Sequence, residues 1–486
     1  MISRSLIVLA VALVACAGPA SGQTPKDVVA RAIAAMGGEP AVHAVRAVTT
    51  DYYSMTFALG QEETPESPAR AVVQIGRVIA DYAGSRKTTR TEQRTVAGAV
   101  NQLRRVTASG IGMLETNGRF AADAPGTVAG ELATLRRAPE RLLLAALDHA
   151  AALTALPART WRGEQSAGVR FASGPDTLDL YFDRRSGLLT VIVAVTDDPI
   201  LGDRSTETWF TRWQEASGVR FARQIDVYVN GRLNIEQIVT AVAVNPELGD
   251  SLFAIPDSIA TRAQPANPVP AAPVVTLTEL GTGVWRAEGG SHHSLVVEQP
   301  DRLVVVEAPQ TSRRIQAVLD TLRARFPGKP VGMVVNTHHH WDHAGGVRGA
   351  LAAGIPVVTA SGNTAFVRRV GSAVKSVAPD ALARRGRVQS IGVDDSLTLG
   401  TGDSRVVIYR LPTAHVEGML AAYHPATRIL FNSDVLSPGA TLAPAGSREI
   451  VAFVRALGIG VERVAGGHGG IAAWADVERA AETPAQ

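Results

Sequence analysis

The run Val331 to Val335 is apolar and predicts a buried strand, and the chain then reads Asn336-Thr337-His338-His339-His340-Trp341-Asp342-His343-Ala344-Gly345-Gly346. His338, His340, Asp342 and His343 are all metal-ligand types, set at a strand end just before a predicted helix. A strand end is rigid, and a loop there can turn several side chains toward one point. On extended backbone His338 and His340 project to the same side, because residues two apart share a face. Asp342 and His343 follow as the chain turns, so they reach toward a second position. Gly345 and Gly346 let backbone pack closely. Three further candidates sit downstream: His415 after a predicted strand, Asp434 at a strand end, and His468 within Val464-Ala465-Gly466-Gly467-His468-Gly469-Gly470. Neutral imidazole and carboxylate suit zinc, with bonds of about 2.0–2.2 Å, and such sites also accept iron or manganese.

This TH-x-H-x-DH pattern, with the later motifs in the same order, resembles the metallo-β-lactamase superfamily over essentially all of residues 275–486. The resemblance implies two sheets packed together with helices outside, a four-layer αββα arrangement. It implies that His338, His340 and His415 hold one metal, that Asp342, His343 and His468 hold the other, and that Asp434 bridges them. By family habit the metals are two zinc ions. They would share a hydroxide that attacks an electrophilic centre, with Asp342 orienting it and accepting its proton.

The sequence departs from the family at named places. Glu307 stands where Asp-Thr-Gly is common, which alters the contact expected behind the ligands. Ser433 precedes Asp434 where Gly is common. Asp434, with no cysteine, differs from the thiolate site of many true β-lactamases and is closer to the lactonase and glyoxalase II type. Only 34 residues separate Asp434 from His468, too few for the insertion of the nuclease relatives. The flavin domain of the oxygen-reducing relatives has no counterpart.

Other residues allow two readings. His292 and His293 border the expected cleft and are either substrate contacts or plain surface residues. His339 and Trp341 alternate with ligands and are expected to point away from them. His424 is read as a strand-end surface residue, and Arg368-Arg369 as a solvated helix face.

The chain is too long, at 486 residues, for one ordinary core. Residues 258–274 are rich in Pro and Ala and read as a semi-extended linker between about 25–257 and 275–486. The first part opens with a predicted helix, Lys26 to Met36, ended by Gly37-Gly38. Alternating segments such as Gln224 to Val229 predict an antiparallel, curved sheet, with a helix from about Pro139 to Ala152 laid against it. Its opening and its closing Ser251-Leu252-Phe253-Ala254-Ile255-Pro256 resemble the half-barrel of periplasmic lipoprotein carriers. That would imply a hydrophobic cavity able to hold an acyl chain; a structural β-domain without ligand is the alternative.

With 48 basic against 45 acidic residues interspersed, the chain lacks the charge pattern of a nucleic-acid binder. Arg4 and the short apolar run Leu6 to Val14 read as an export signal over 1–22. Leu13-Val14-Ala15-Cys16 resembles a lipobox, which would anchor the chain to the outer membrane. Cleavage before Gln23 would instead leave a soluble periplasmic protein. Cys16 is the only cysteine, so no disulfide forms within the mature chain and no thiolate is available as a ligand. The expected function is an exported, metal-dependent hydrolase of a small ester, lactone, thioester or amide. A β-lactam hydrolase and a non-catalytic binder of lipid or envelope components are the alternatives. The sequence leaves the oligomeric state open.

Overall fold

A computed structural model describes residues 23–484 apart from 96, 97, 162, 175, 268, 270, 386 and 387. The export signal and Cys16 lie outside the described residues. Among those described, three sheets organise the chain, of thirteen, seven and six strands.

The thirteen-stranded sheet is antiparallel throughout. Its first strand, Ala47–Phe57, pairs with the second, Ala71–Asp81, on one side and with the last, Arg232–Val244, on the other. The remaining strands follow in sequence order outward from this seam. The helix expected from Lys26 runs Pro25–Met36, capped by Thr24 and stopped by Gly37 at φ 134°. It packs with the helix Pro139–Asp148 over the sheet, where Ile33, Met36, Leu143, Leu178, Leu180 and Phe182 form a buried core. Apolar patterning does not mark every strand: Arg86–Arg94 is made of Arg, Lys, Thr, Glu and Gln. It pairs on both edges, with Ala71–Asp81 and Val100–Ala108, which satisfies its backbone without an apolar face.

The second and third sheets form the expected four layers. In the strand Leu303–Val306 every residue is buried. Val304 and Val306 face the other sheet, meeting Ile408, Leu420 and Phe431, while Leu303 and Val305 face Ile315, Val318 and Leu322 of the helix Ser312–Arg325. Strands buried on both faces read as continuous apolar runs, and each such side chain contributes about 1.5–3 kcal/mol. On the far side, Leu430 and Val464 meet Ile450 and Val454 of the helix Pro444–Leu457.

The Pro- and Ala-rich segment is less free than its composition predicts. It begins inside the short helix Asp257–Ala260, whose Ile259 is buried beside Phe253. Ala266 N then donates to Gly110 O at 2.8 Å and Asn267 N to Pro125 O at 3.1 Å.

Among the described residues, hydrogen bonds join the thirteen-stranded part to the four-layer part at two places. Asp203 N donates to Val374 O at 2.7 Å, its carboxylate accepts Ser376 N at 2.8 Å, and Ile200 enters the four-layer core. At the second place, the connection between Phe57 and Ala71 reaches the ends of the strands that carry the histidines.

Candidate metal centre

All seven predicted ligands lie at the same edge of the two packed sheets, and each is held by identifiable bonds. Asn336 N donates to Val358 O at 2.8 Å, which carries the extended backbone of Val331–Val335 one residue further. His340 then caps the one-turn helix Trp341–Ala344, which swings Asp342 and His343 back toward His338. His415 N donates to Thr413 Oγ1 at 3.1 Å, and Thr413 donates to Glu449 Oε2 at 2.6 Å. Asp434 follows the strand Ile429–Asn432, in a turn where Asn432 Oδ1 accepts Leu436 N at 2.8 Å. His468 follows Arg463–Gly466, and buried Arg286 donates to the carbonyls of Gly466 and Gly469 around it.

The side chains converge into two adjoining groups. His338, His340, His415 and Asp434 form one; Asp342, His343, His468 and His292 form the other. Asp434 divides its two oxygens between them. Oδ2 lies 3.1 Å from His415 Nε2 and 3.5 Å from His338 Nε2. Oδ1 lies 2.9 Å from His343 Nε2 and 3.0 Å from His468 Nε2.

The outward ring nitrogens decide which atoms face inward. His340 Nε2 donates to Glu62 O at 3.0 Å, leaving Nδ1 inward, 3.1 Å from His415 Nε2. His468 Nδ1 donates to Ser291 O at 3.0 Å, leaving Nε2 inward, 3.2 Å from His343 Nε2. His343 Nδ1 donates to Glu307 Oε2 at 3.0 Å. Thr337 Oγ1 donates to Glu307, so it accepts from His338 Nδ1 at 3.1 Å. His338 Nε2 is buried and faces Asp434 Oδ2 at the limit of hydrogen-bond distance. A set of inward imidazole nitrogens packed against carboxylate oxygens fits a divalent cation. Each acceptor behind a ring fixes its tautomer, as is usual for metal-ligating histidine.

The electrostatics agree. Burial pushes His338 well below its ordinary pKa and lowers His340 to about 4. Burial alone would lower His343 too, but the Glu307 and Asp434 carboxylates outweigh it and push His343 up to about 10. The hydrogen bond to Asp434 raises His468. Burial opposes ionisation of Asp434, yet hydrogen bonds from His338, His343, His415 and His468 hold it far below the usual carboxylate range. Asp434 is therefore anionic at neutral pH and His338 and His340 are neutral, which is the state that binds metal, whereas His343 must first lose a proton.

Several expectations change. His292, weighed as a substrate contact or a surface residue, stands inside the second group, its Nε2 3.4 Å from Asp342 Oδ2. His293 belongs to neither group. His424 is buried, not at the surface: the turn after its strand brings Thr427 Oγ1 within 2.9 Å of its Nδ1, which satisfies the ring. Glu307 and Ser433 turn out to share a target, since Ser433 Oγ lies 2.9 Å from His343 Nδ1, the atom that Glu307 holds. Sequence reasoning missed Gln61, whose Nε2 donates to Asp342 Oδ1 at 2.9 Å from 281 positions away.

Two packed sheets with helices outside, and a cage of histidine and aspartate at the strand ends, define a metal-binding αββα domain. Residues 287–468 match the family model described as the metallo-beta-lactamase superfamily, and this part of the chain belongs to that superfamily. A curated relative, an (R)-specific secondary-alkylsulfatase of Pseudomonas sp, is 34% identical over 101 residues, which are 20% of this chain and 15% of that protein. The chain thus spans about 15% of the length of the curated relative it matches. Among solved structures, the metallo-beta-lactamase from Pontibacter korlensis is 16% identical with a TM-score of 0.34, over 42% of this chain and 96% of that one. The enzyme from Hirschia baltica is 18% identical with a TM-score of 0.33, over 43% and 96%.

Proposed function

We propose that this chain is an exported hydrolase whose four-layer domain holds two metal ions, zinc in preference to iron or manganese, and cleaves a small ester, lactone, thioester or amide. The observation that supports it most is the division of Asp434's two oxygens between the two groups of histidines. His338, His340 and His415 would hold one ion and Asp342, His343 and His468 the other, with Asp434 shared. When bound, such ions polarise an electrophile and bring the pKa of water toward neutrality. Asp342, His415, Asp434 and His468 are the partly exposed members, so the substrate approaches from their side. Burial opposes ionisation of Asp342 at this mouth, but hydrogen bonds from His292 and Gln61 outweigh it and keep Asp342 anionic, and it would orient the nucleophile and accept its proton.

The choice among substrates favours one with an apolar portion. Between the thirteen-stranded sheet and the segment 129–140 lies an open cavity of about 880 Å³ lined by Val48, Ile192, Phe210, Trp213, Phe221 and Val239, with no metal-centre residue in its lining. That volume lies in the range of small-ligand sites. The same cavity supports a second reading, a carrier of apolar envelope components in which the metal-binding part only binds. The alkylsulfatase relative brings sulfate esters into the set to be tested, and β-lactams belong to it as the alternative read from the sequence.

Purified full-length chain, loaded with zinc, is assayed on lactones, thioesters, phosphoesters, sulfate esters and β-lactams. Turnover of one class, abolished by His340→Ala, supports the enzyme. Retention of acyl ligands with no turnover of any class supports the carrier. The mass of the mature N-terminus tests export and distinguishes a lipid on Cys16 from cleavage before Gln23.

A further inference from the structure

Four consecutive residues of the connection between the strands Ala47–Phe57 and Ala71–Asp81 bond to the metal-centre segments. Gly60 O accepts Trp341 N at 3.1 Å. Gln61 Nε2 donates to Asp342 Oδ1 at 2.9 Å. Glu62 O accepts His339 Nε2 at 3.1 Å and His340 Nε2 at 3.0 Å. Glu63 O accepts Glu417 N at 2.9 Å, two residues from His415. Gly60 has φ +83° and lies so close to Trp341 that a Cβ there would fall 2.1 Å from the indole, so only glycine allows this approach.

We propose that this loop is a working part of the metal centre, with Gln61 as a positioning residue for Asp342 and the Glu62 carbonyl as the group that fixes His340. Gln61 takes up Oδ1 of Asp342 and leaves Oδ2 facing His343 Nε2 at 3.6 Å. It thereby selects which oxygen is offered inward. The Glu62 carbonyl requires a proton on His340 Nε2 and so leaves Nδ1 as the inward atom. That carbonyl is held in turn by its own side chain: Glu62 is 2% exposed and pairs with Arg232 of the strand Arg232–Val244. The thirteen-stranded part thus supplies the hydrogen-bond partners behind one ligand of each ion, and metal affinity depends on it. Partners behind a metal ligand are worth roughly 10–100-fold in metal affinity.

The inference rests on the two-metal reading, and the test separates the two. Zinc is titrated into the metal-free full chain against a chromophoric chelator for wild type, Gln61→Ala, Arg232→Ala and Arg232→Lys, with thermal unfolding of each metal-free protein alongside. Gln61→Ala is expected to weaken one of two binding steps by about 10–100-fold and leave metal-free unfolding unchanged. Arg232→Ala is expected to weaken the other step, with Arg232→Lys restoring most of it. Two steps of wild-type affinity in both Gln61→Ala and Arg232→Ala overturn this inference alone. A wild type that takes up no zinc overturns the two-metal reading and the inference with it.

Discussion

Oε2 of Glu307 lies 3.0 Å from Nδ1 of His343, and both side chains are buried. Glu307 reaches that place at a cost, because its φ is +83°, a backbone region that disfavours any side chain by about 1–3 kcal/mol. The two effects can be separated. Glu307→Ala removes the carboxylate and keeps the strain; Glu307→Gly removes both. We expect both variants to bind zinc about 10–100-fold more weakly than wild type. The metal-free Gly variant should be the more stable of the two in denaturant unfolding. Equal stability of the pair would remove the strain argument.

Zinc loading should release protons. In the metal-free chain His343, pushed up to about 10, is protonated at pH 7, and a metal must displace that proton. Calorimetry at pH 7 in buffers of different ionisation enthalpy should show about one proton or more released per chain. Affinity should fall as pH falls, because each ligand proton competes with the metal. Binding without proton release would contradict the raised pKa.

Phe431 is fully buried between the two sheets of the four-layer part, three residues before Asp434. Phe431→Ala leaves a cavity there and is expected to cost about 3–5 kcal/mol in denaturant unfolding of the metal-free protein. A loss below about 1 kcal/mol would mean that this core is not closely packed.

Much of the four-layer part is legible in the sequence, for a physical reason. Ser294–Glu298, Leu303–Val306 and Val331–Val335 fall on the apolar runs of the sequence, since strands largely covered on both faces need few polar residues. The seven candidate ligands are legible because strand ends are where rigid backbone presents side chains. The supports behind them are not. Gln61 and the Glu62 carbonyl belong to a connection with no period, and a backbone carbonyl carries no sequence signature. Arg86–Arg94 hides for a related reason, being stabilised by pairing on both edges and not by an apolar face. His424 misleads because its polar ring is satisfied by Thr427, a contact that forms only in the turn.

Asp434 is proposed to join two metal sites into one, and metal counting by mass spectrometry under native conditions tests that directly. The wild-type chain, loaded with zinc and desalted at neutral pH, should carry two ions, and Asp434→Ala should carry one or none and lose all hydrolysis. A wild type that holds no ion, or an Asp434→Ala protein that keeps two at unchanged affinity, would contradict it.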